Sequence, residues 1–158
     1  MPWRLPALPT ALLLSVALVA GACGSEPDTP EARIRRALGA LEAAAEAGDV
    51  AAFKQQVSER YSDEHGHDKQ TLGTYVSFHV LRNSNRHVVL RVRDVLMVDP
   101  GRAEVVVIAG IAGSRPVAGE LAAFRGNVYQ VDADLEEEDG QWRLVWAQWK
   151  PTPASDLL

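Results

Sequence analysis

The polar segment from Ser58 to Asp68 contains side chains of the types that bind metal ions. Asp63, His65 and His67 alternate along it, so in an extended backbone all three would point to the same side. A carboxylate and two imidazoles suit zinc, copper or nickel, but the distant fourth ligand of a structural zinc site is missing. In the alternative interpretation Asp63 and Asp68 accept local hydrogen bonds that shape a turn and cap the next helix. We therefore treat the three residues as metal candidates and expect no bound cofactor.

Tyr75 and His79 form a second candidate pair, because residues four apart lie on the same face of a helix. In a functional interpretation His79 is a base or a polar handle that Tyr75 orients. In a structural interpretation, which we favour, both rings pack in the core and their polar atoms bond to the backbone. Tyr129 and Trp146 complete the candidate ligand-binding residues. The chain has no Ser-His-Asp pattern, phosphate-binding loop or dinucleotide motif, so we assign no catalytic residue.

The single cysteine, Cys23, follows a segment that is typical of a secretory signal. Arg4 gives this segment a positive start, and the run from Ala11 to Ala22 is apolar except for Ser15. The run is shorter than the roughly 20 apolar residues that span a bilayer. The segment from Leu18 to Cys23 resembles the lipobox of bacterial lipoproteins, in which the cysteine is lipid-modified on its sulfur and becomes the N-terminus. An ordinary secretory signal with an incidental cysteine is the alternative.

The lipobox resemblance divides the chain into three parts: a cleaved signal peptide at 1–22, a lipidated tether at 23–29 and a domain at 30–158. It implies a lipid-anchored protein of the cell envelope that faces the periplasm. Gly24 stands where an aspartate would resemble an inner-membrane retention signal, so a Gram-negative host implies the outer membrane.

The composition and net charge of the chain limit the kinds of molecule that it can bind. The chain is 47% hydrophobic and 23% charged, the balance of an ordinary globular protein with one domain. Its formal charge of −5 leaves no basic surface for a phosphate backbone, so we expect no nucleic-acid partner. Loss of Arg4 with the leader makes the mature domain more acidic still. We therefore expect the tether to hold it near the membrane, while its net charge keeps it from spreading on anionic headgroups.

Hydrophobic periodicity predicts three helices that position the polar segment. Asp28 and Glu31 form a capping box for the first helix, which ends at Gly48. Asp49 is the predicted N-cap of the second helix, which runs to about Val57. The following stretch from 58 to 68 is predicted to be a loop, with Asp68 capping a third helix that runs to about Arg82. The predicted buried stripe of the first helix comprises Ile34, Leu38, Leu41 and Ala45.

After the helices the period changes to two, which predicts four antiparallel strands at 87–98, 103–112, 127–137 and 141–150. In the third of these, alternation places Tyr129 and Leu135 on the core face. Strict alternation in the last strand separates Trp142, Leu144 and Trp146 from Val145, Ala147 and Trp149. The second set is a candidate homodimer interface on the outer face of the sheet.

Three helices followed by this sheet, with Ala-Gly-Asp-Val-Ala-Ala-Phe at 47–53 between the first two, resemble the nuclear transport factor 2-like superfamily. That superfamily includes ketosteroid isomerase, scytalone dehydratase and the SnoaL-like cyclases. Tyr61-Ser62-Asp63, with Gly66 and Asp68, resembles in particular its bacterial lipoprotein members, and so does the Trp-rich last strand. The resemblance implies an α+β fold with three N-terminal helices on a curved four-stranded antiparallel sheet. Such a cone-shaped, cystatin-like roll encloses either a ligand pocket or a solid core.

Chemistry inside such a cone needs polar groups that the apolar faces of this chain lack. Ketosteroid isomerase places a hydrogen-bonding tyrosine on the first helix, where this chain has Ile, Leu and Ala. Asp132 and Asp134 alternate with the core residues of their strand and so are expected to face water. We therefore expect a non-catalytic module that binds a small apolar ligand or an envelope protein. The alternative is a SnoaL-like cyclase or isomerase that uses acid/base chemistry in the cone.

Overall fold

The computed structural model describes Met1 and residues 28–82, 87–113 and 126–158, with the backbone alone for 79–82. Apart from Met1, the predicted signal peptide lies outside the described residues, as do Cys23 and most of the tether. No helix within the described ranges is both long enough and apolar enough to cross a membrane.

The described elements are three α-helices, five strands and a final 3-10 turn. In chain order they are α1 (Pro30–Ala47), α2 (Val50–Gln55), β1 (Val57–Asp63), α3 (Lys69–Arg82), β2 (His87–Asp99), β3 (Arg102–Ala112), β4 (Gly126–Glu138), β5 (Gln141–Pro151) and the 3-10 turn Ala154–Leu157. The strands form one sheet in the order β1-β5-β4-β3-β2. The fold is thus α+β, as predicted, but the sheet has one more strand than the four predicted.

The helix ends follow local capping signals. Asp49 Oδ1 accepts a hydrogen bond from the N–H of Ala52 at 2.9 Å, which confirms the predicted cap of α2. Gly48 ends α1 in the left-handed region with φ of 72°, as predicted. The cap of α1 differs from the prediction. The side-chain oxygen of Thr29, rather than that of Asp28, accepts the hydrogen bond from the N–H of Ala32 at 3.1 Å.

The helix α1 covers one face of the sheet, which we call the inner face; the opposite one is the outer face. The buried residues of α1 are Ile34, Leu38, Leu41 and Ala44, so Ala44 replaces the predicted Ala45 in the stripe. They pack with buried side chains of β1 and of β3 to β5, including Tyr61, Val105, Val107, Ala133, Leu135 and Trp142. On the outer face a smaller cluster joins Leu157 of the 3-10 turn to Ile108, Ala112 and Val128.

The predicted loop at 58–68 is wrong in its first half, which forms the edge strand β1. Val57 and Asp63 pair in parallel with Leu144 and Ala147 of β5. The prediction failed because the middle of β1 is charged: Glu59 and Arg60 are exposed. Charged side chains are typical of an edge strand, where they discourage pairing with another chain.

A β-bulge changes the faces of β5. Asp134 lies opposite Trp146, whereas Leu135 lies opposite Leu144, so Val145 is an extra residue. After Val145, the residues of β5 that strict alternation places on the inner face lie on the outer face, and the reverse. A strict period of two cannot reveal such an insertion, and this is why the predicted faces of β5 fail after Leu144.

The bulge corrects the proposed dimer surface. Ala147 is only 4% exposed and packs in the inner core, where the partly buried Trp149 also packs. Trp146 instead shares the outer face with Asp134. Val145, Ala147 and Trp149 therefore form no common outer surface, and a homodimer stays a prediction that needs other contact residues.

Candidate functional site

The turn that follows β1 brings together the titratable residues noted in the sequence. Asp63 Oδ1 accepts hydrogen bonds from the backbone N–H groups of His65 and His67, both at 2.9 Å. Its Oδ2 lies 2.9 Å from Nδ1 of His67. The Asp63 side chain is fully buried, whereas that of His67 is 40% exposed. We call residues 63–68 the Asp63 turn; it presents one imidazole whose Nδ1 is held by a buried carboxylate.

Opposing effects act on the protonation of Asp63. Burial alone would raise the pKa of its carboxyl, but the hydrogen bonds from His67 and His65 hold that pKa below its usual value. Burial, together with the nearby charge of Asp63, raises the pKa of the Tyr61 phenol well above its usual value. At neutral pH Asp63 is therefore an acceptor with its bonds already made, and Tyr61 stays protonated.

The other histidine of the turn, His65, packs against the end of β5. The rings of His65 and Trp149 meet edge to face, with centroids 5.4 Å apart. The N–H of Trp149 also donates to Glu64 Oε1 at 3.0 Å. These contacts fasten the Asp63 turn to β5, and the hydrogen bonds of Asp63 support the structural interpretation of this residue.

The turn also starts α3. Asp68 Oδ1 accepts a hydrogen bond from the N–H of Thr71 at 2.8 Å, which confirms the predicted cap. This bond from Thr71 lowers the pKa of Asp68. Within the described ranges no three His, Cys, Asp or Glu side chains converge on a point where a metal ion could sit. The carboxylates of Asp63 and Asp68 thus bond to groups of the turn itself and of the start of α3.

No protein-family model and no curated protein matches the sequence. Solved structures do match the fold. A nuclear transport factor 2-like protein of unknown function from Shewanella oneidensis shares 14% identity at a TM-score of 0.56, over 77% of this chain and 98% of that one. The chain has a nuclear transport factor 2-like fold. The resemblance seen in the sequence is thereby confirmed at the level of fold.

Two further solved structures are similar to this chain in fold. A scytalone dehydratase-like protein from Novosphingobium aromaticivorans has a TM-score of 0.65 at 10% identity, over 78% of this chain and 84% of that one. A domain of unknown function with a cystatin-like fold, from Nostoc punctiforme, has a TM-score of 0.60 at 13% identity, over 78% and 77%. At such identities the likeness concerns the fold alone.

The interior of this nuclear transport factor 2-like cone is filled where α1 meets the sheet. Ile34 and Leu135 are both 0% exposed, and Trp142 is 3% exposed. Among the described residues the buried polar side chains are Ser58 and Asp63, apart from the Tyr61 ring in the core. Ser58 donates to Glu138 at 2.6 Å. The described interior therefore packs mainly apolar groups, and the side-chain oxygens of Ser58 and Asp63 bond to other protein groups.

The candidate ligand-binding residues do not converge on one site. Tyr129 shares the inner face with Leu135, whereas Trp146 lies on the outer face opposite Asp134. Tyr75 is 53% exposed on α3, and the side chain of His79 lies outside the described residues. Tyr129 and Trp146 therefore belong to different surfaces, so the chain cannot use both in one pocket.

Sequence reasoning missed a network of ion pairs that links β1 to the hairpin of β4 and β5. Arg60 lies 2.6 Å from Glu136 and 2.9 Å from Glu138, and Arg143 lies 3.2 Å from Glu138. The hydrogen bond from the Ser58 hydroxyl lowers the pKa of Glu138 most, and the hydrogen bonds from Arg60 and Arg143 lower it further. Beside the network is a groove of about 370 Å³ lined by Gln55, Gln56, Val57, Glu59, Lys69, Gln141 and Arg143. The only sequence signal was the alternation of acids along β4.

Zinc is expected to release no heat beyond dilution when it is titrated into the protein in a calorimeter. Both oxygens of Asp63 already hold hydrogen bonds, and the carboxylate is buried. A His65→Ala/His67→Ala variant should give the same trace. Saturable heat in the wild type that this variant lacks would contradict the expectation and restore the metal site.

Proposed function

We propose that the chain is a lipoprotein of a bacterial cell envelope, anchored through Cys23, whose nuclear transport factor 2-like domain acts by binding rather than catalysis. It would face the periplasm, in the outer membrane of a Gram-negative host. The observation that carries the non-catalytic part is the apolar packing between α1 and the sheet. The anchor rests on the sequence from Leu18 to Cys23.

Acid/base catalysis in a cone requires a base within hydrogen-bond reach of the substrate and an opening that admits it. Ile34, Leu38 and Leu41 occupy the space where α1 faces the sheet, each at 7% exposure or less. The buried carboxylate, Asp63, is committed to the backbone of its own turn. These features support a binding module over the cyclase or isomerase alternative.

Two kinds of occupant fit this module. A small apolar ligand would enter at the end of the inner face where Tyr129 is half-buried, away from the packed contact of α1 with Leu135. An envelope protein would bind the exterior instead. In both cases the proposal places the domain at the membrane, so the anchor is the first property to test.

A Cys23→Ala variant of the full chain is expected to lose its membrane association. Cells that express the wild type should show it in the membrane fraction, with an intact mass that includes the lipid. More than one acyl chain makes such anchoring stable, since each buried CH₂ contributes about 0.8 kcal/mol. Ser25→Ala, two residues away, serves as the matched control and should fractionate like the wild type. Membrane association that survives in Cys23→Ala, or a wild-type mass without lipid, would refute the proposal.

A further inference from the structure

One end of the domain carries both the start of α1 and the tip of the hairpin between β2 and β3. Glu137 joins them: its Oε1 lies 2.7 Å from Nη1 of Arg33, and its backbone N–H donates to the carbonyl of Gly101 at 2.9 Å. The chain that precedes α1 therefore leaves the domain beside this hairpin. We call residues 28–33 with 96–101 the hairpin end.

Three consecutive apolar side chains are exposed at the hairpin end. Leu96 is 56% exposed, Met97 36% and Val98 48%. They lie on β2, which is an edge strand of the sheet. The ladder to β3 is irregular between Met97 and Asp99, so Val98 has no partner residue across it. Because β2 has β3 as its single neighbour in the sheet, β3 cannot cover all three of these side chains.

The other half of the same edge is protected. The N–H of Leu90 donates to the carboxylate of Glu42 on α1 at 3.0 Å. His87, at the start of β2, lies 3.1 Å from Glu46 of the same helix. Exposed apolar surface on β2 is thus concentrated at the end from which the tether departs.

Most carboxylates around the hairpin end have arginine partners although the chain is acidic overall, while Asp99 accepts a hydrogen bond from the N–H of Gly101. Glu31 pairs with Arg35 at 2.8 Å, and Asp28 pairs with Arg36. Glu137 pairs with Arg33, as described above. Because each of these carboxylates has an arginine partner, they add little to the net repulsion from a lipid surface.

The tether determines which part of the domain lies nearest the lipid. Cys23 precedes Asp28 by five residues, which span about 18 Å at most when fully extended. The far end of α1, at Ala47, lies about 25 Å further along the helix axis, since each residue rises by about 1.5 Å. An anchored chain therefore keeps the hairpin end close to the bilayer at a high effective concentration.

We propose that the hairpin end docks on the membrane, with Leu96, Met97 and Val98 in the interfacial region of the bilayer. The proposal rests on the lipid anchor proposed above. It adds an orientation: α1 rises from the membrane, and the end of the domain that contains Ala47 faces away from it. The acidic remainder of the domain stays off the surface, in agreement with its net charge.

The test uses the full-length chain with its leader, produced in bacteria, with a nitroxide on Val98→Cys or, as the matched control, on Ala47→Cys, which is an exposed site. A lipidated Cys23 has no free thiol, so the introduced cysteine is the one labelled. The proteins are reconstituted in phosphatidylcholine vesicles. We expect the label at 98 to collide several-fold less with a water-soluble nickel chelate than the label at 47, and more with oxygen.

The outcomes separate the two proposals. A chain that floats with the vesicles, but whose labels at 98 and 47 are equally accessible to nickel, overturns the docking and leaves the anchor intact. A chain that does not float, or whose Cys23 takes up the label, overturns the anchor and the docking together. The label at 98 could also stay shielded from the nickel chelate in detergent and show spin-spin broadening. That result would show pairing of two copies and would also overturn membrane docking.

Discussion

Replacing Leu135 by alanine is expected to lower the free energy of unfolding by about 3 to 4 kcal/mol. Leu135 is 0% exposed and packs in the cluster that contains Ile34 and Trp142. The loss combines the transfer free energy of the deleted atoms with a term for the cavity that remains. Urea denaturation measures it, and the thermal midpoint should fall by roughly 10 °C.

Leu158→Ala is the matched control, because this leucine is 65% exposed. It should change the free energy of unfolding by no more than about 0.5 kcal/mol. If Leu135→Ala costs no more than this control, the space between α1 and the sheet is not tightly packed. It could then admit a ligand, and the case against catalysis in the cone would weaken.

Replacing Asp63 by alanine is expected to lower the free energy of unfolding by about 2 kcal/mol, because two backbone donors in part-buried hydrogen bonds lose a charged acceptor. The N–H groups of His65 and His67 would lose their shared partner, and His67 would lose the contact that orients its ring. An Asp63→Asn variant keeps one carbonyl oxygen for the two N–H groups and should lose less. Chemical denaturation of the three proteins at neutral pH gives the comparison. Equal stability of the wild type and Asp63→Ala would show that the turn does not depend on this carboxylate.

The same residue predicts a pH dependence. The pKa of Asp63 in the folded protein lies below its value in the unfolded chain, near 3.9. Its contribution is therefore complete above about pH 5, where the carboxyl is ionised in the unfolded chain as well, and is lost as the pH falls through the folded-state pKa. Between about pH 5 and pH 2 the wild type should lose more stability than Asp63→Asn. Parallel profiles for the two proteins would contradict this linkage.

Much of the fold could be predicted because its signals are local. Gly48, Asp49 and Asp68 act on residues within one turn of themselves, and strands β2 to β4 alternate over long stretches. Two features escaped because their causes are distant or interrupt the period. The charged side chains of β1 suggested a loop, although that segment is an edge strand beside β5. The extra residue Val145 reversed the faces of β5, which no alternation rule anticipates.

The candidate site divides in the same way. The interpretation of Asp63 and Asp68 as residues that shape a turn was correct, since their partners are within four residues. The ion pairs of Arg60 with Glu136 and Glu138 were missed because 76 and 78 residues separate the partners. Pairing across such a distance follows from sheet order, which the sequence pattern did not specify. The separation of Tyr129 from Trp146 was missed because the bulge at Val145 moves Trp146 to the outer face, and strict alternation does not predict a bulge.

The position of β5 between β1 and β4 has a consequence for the order of folding. Strands β2, β3 and β4 pair with neighbours in sequence and can associate as soon as each has been synthesised. Strand β1 precedes them all, yet its partner arrives only when the chain has been made through β5. Closing so large a loop is slow, because its entropy is lost before the contacts form. We therefore expect the Asp63 turn to be among the last parts of the molecule to become ordered, and a chain that ends before residue 141 has no partner strand for β1.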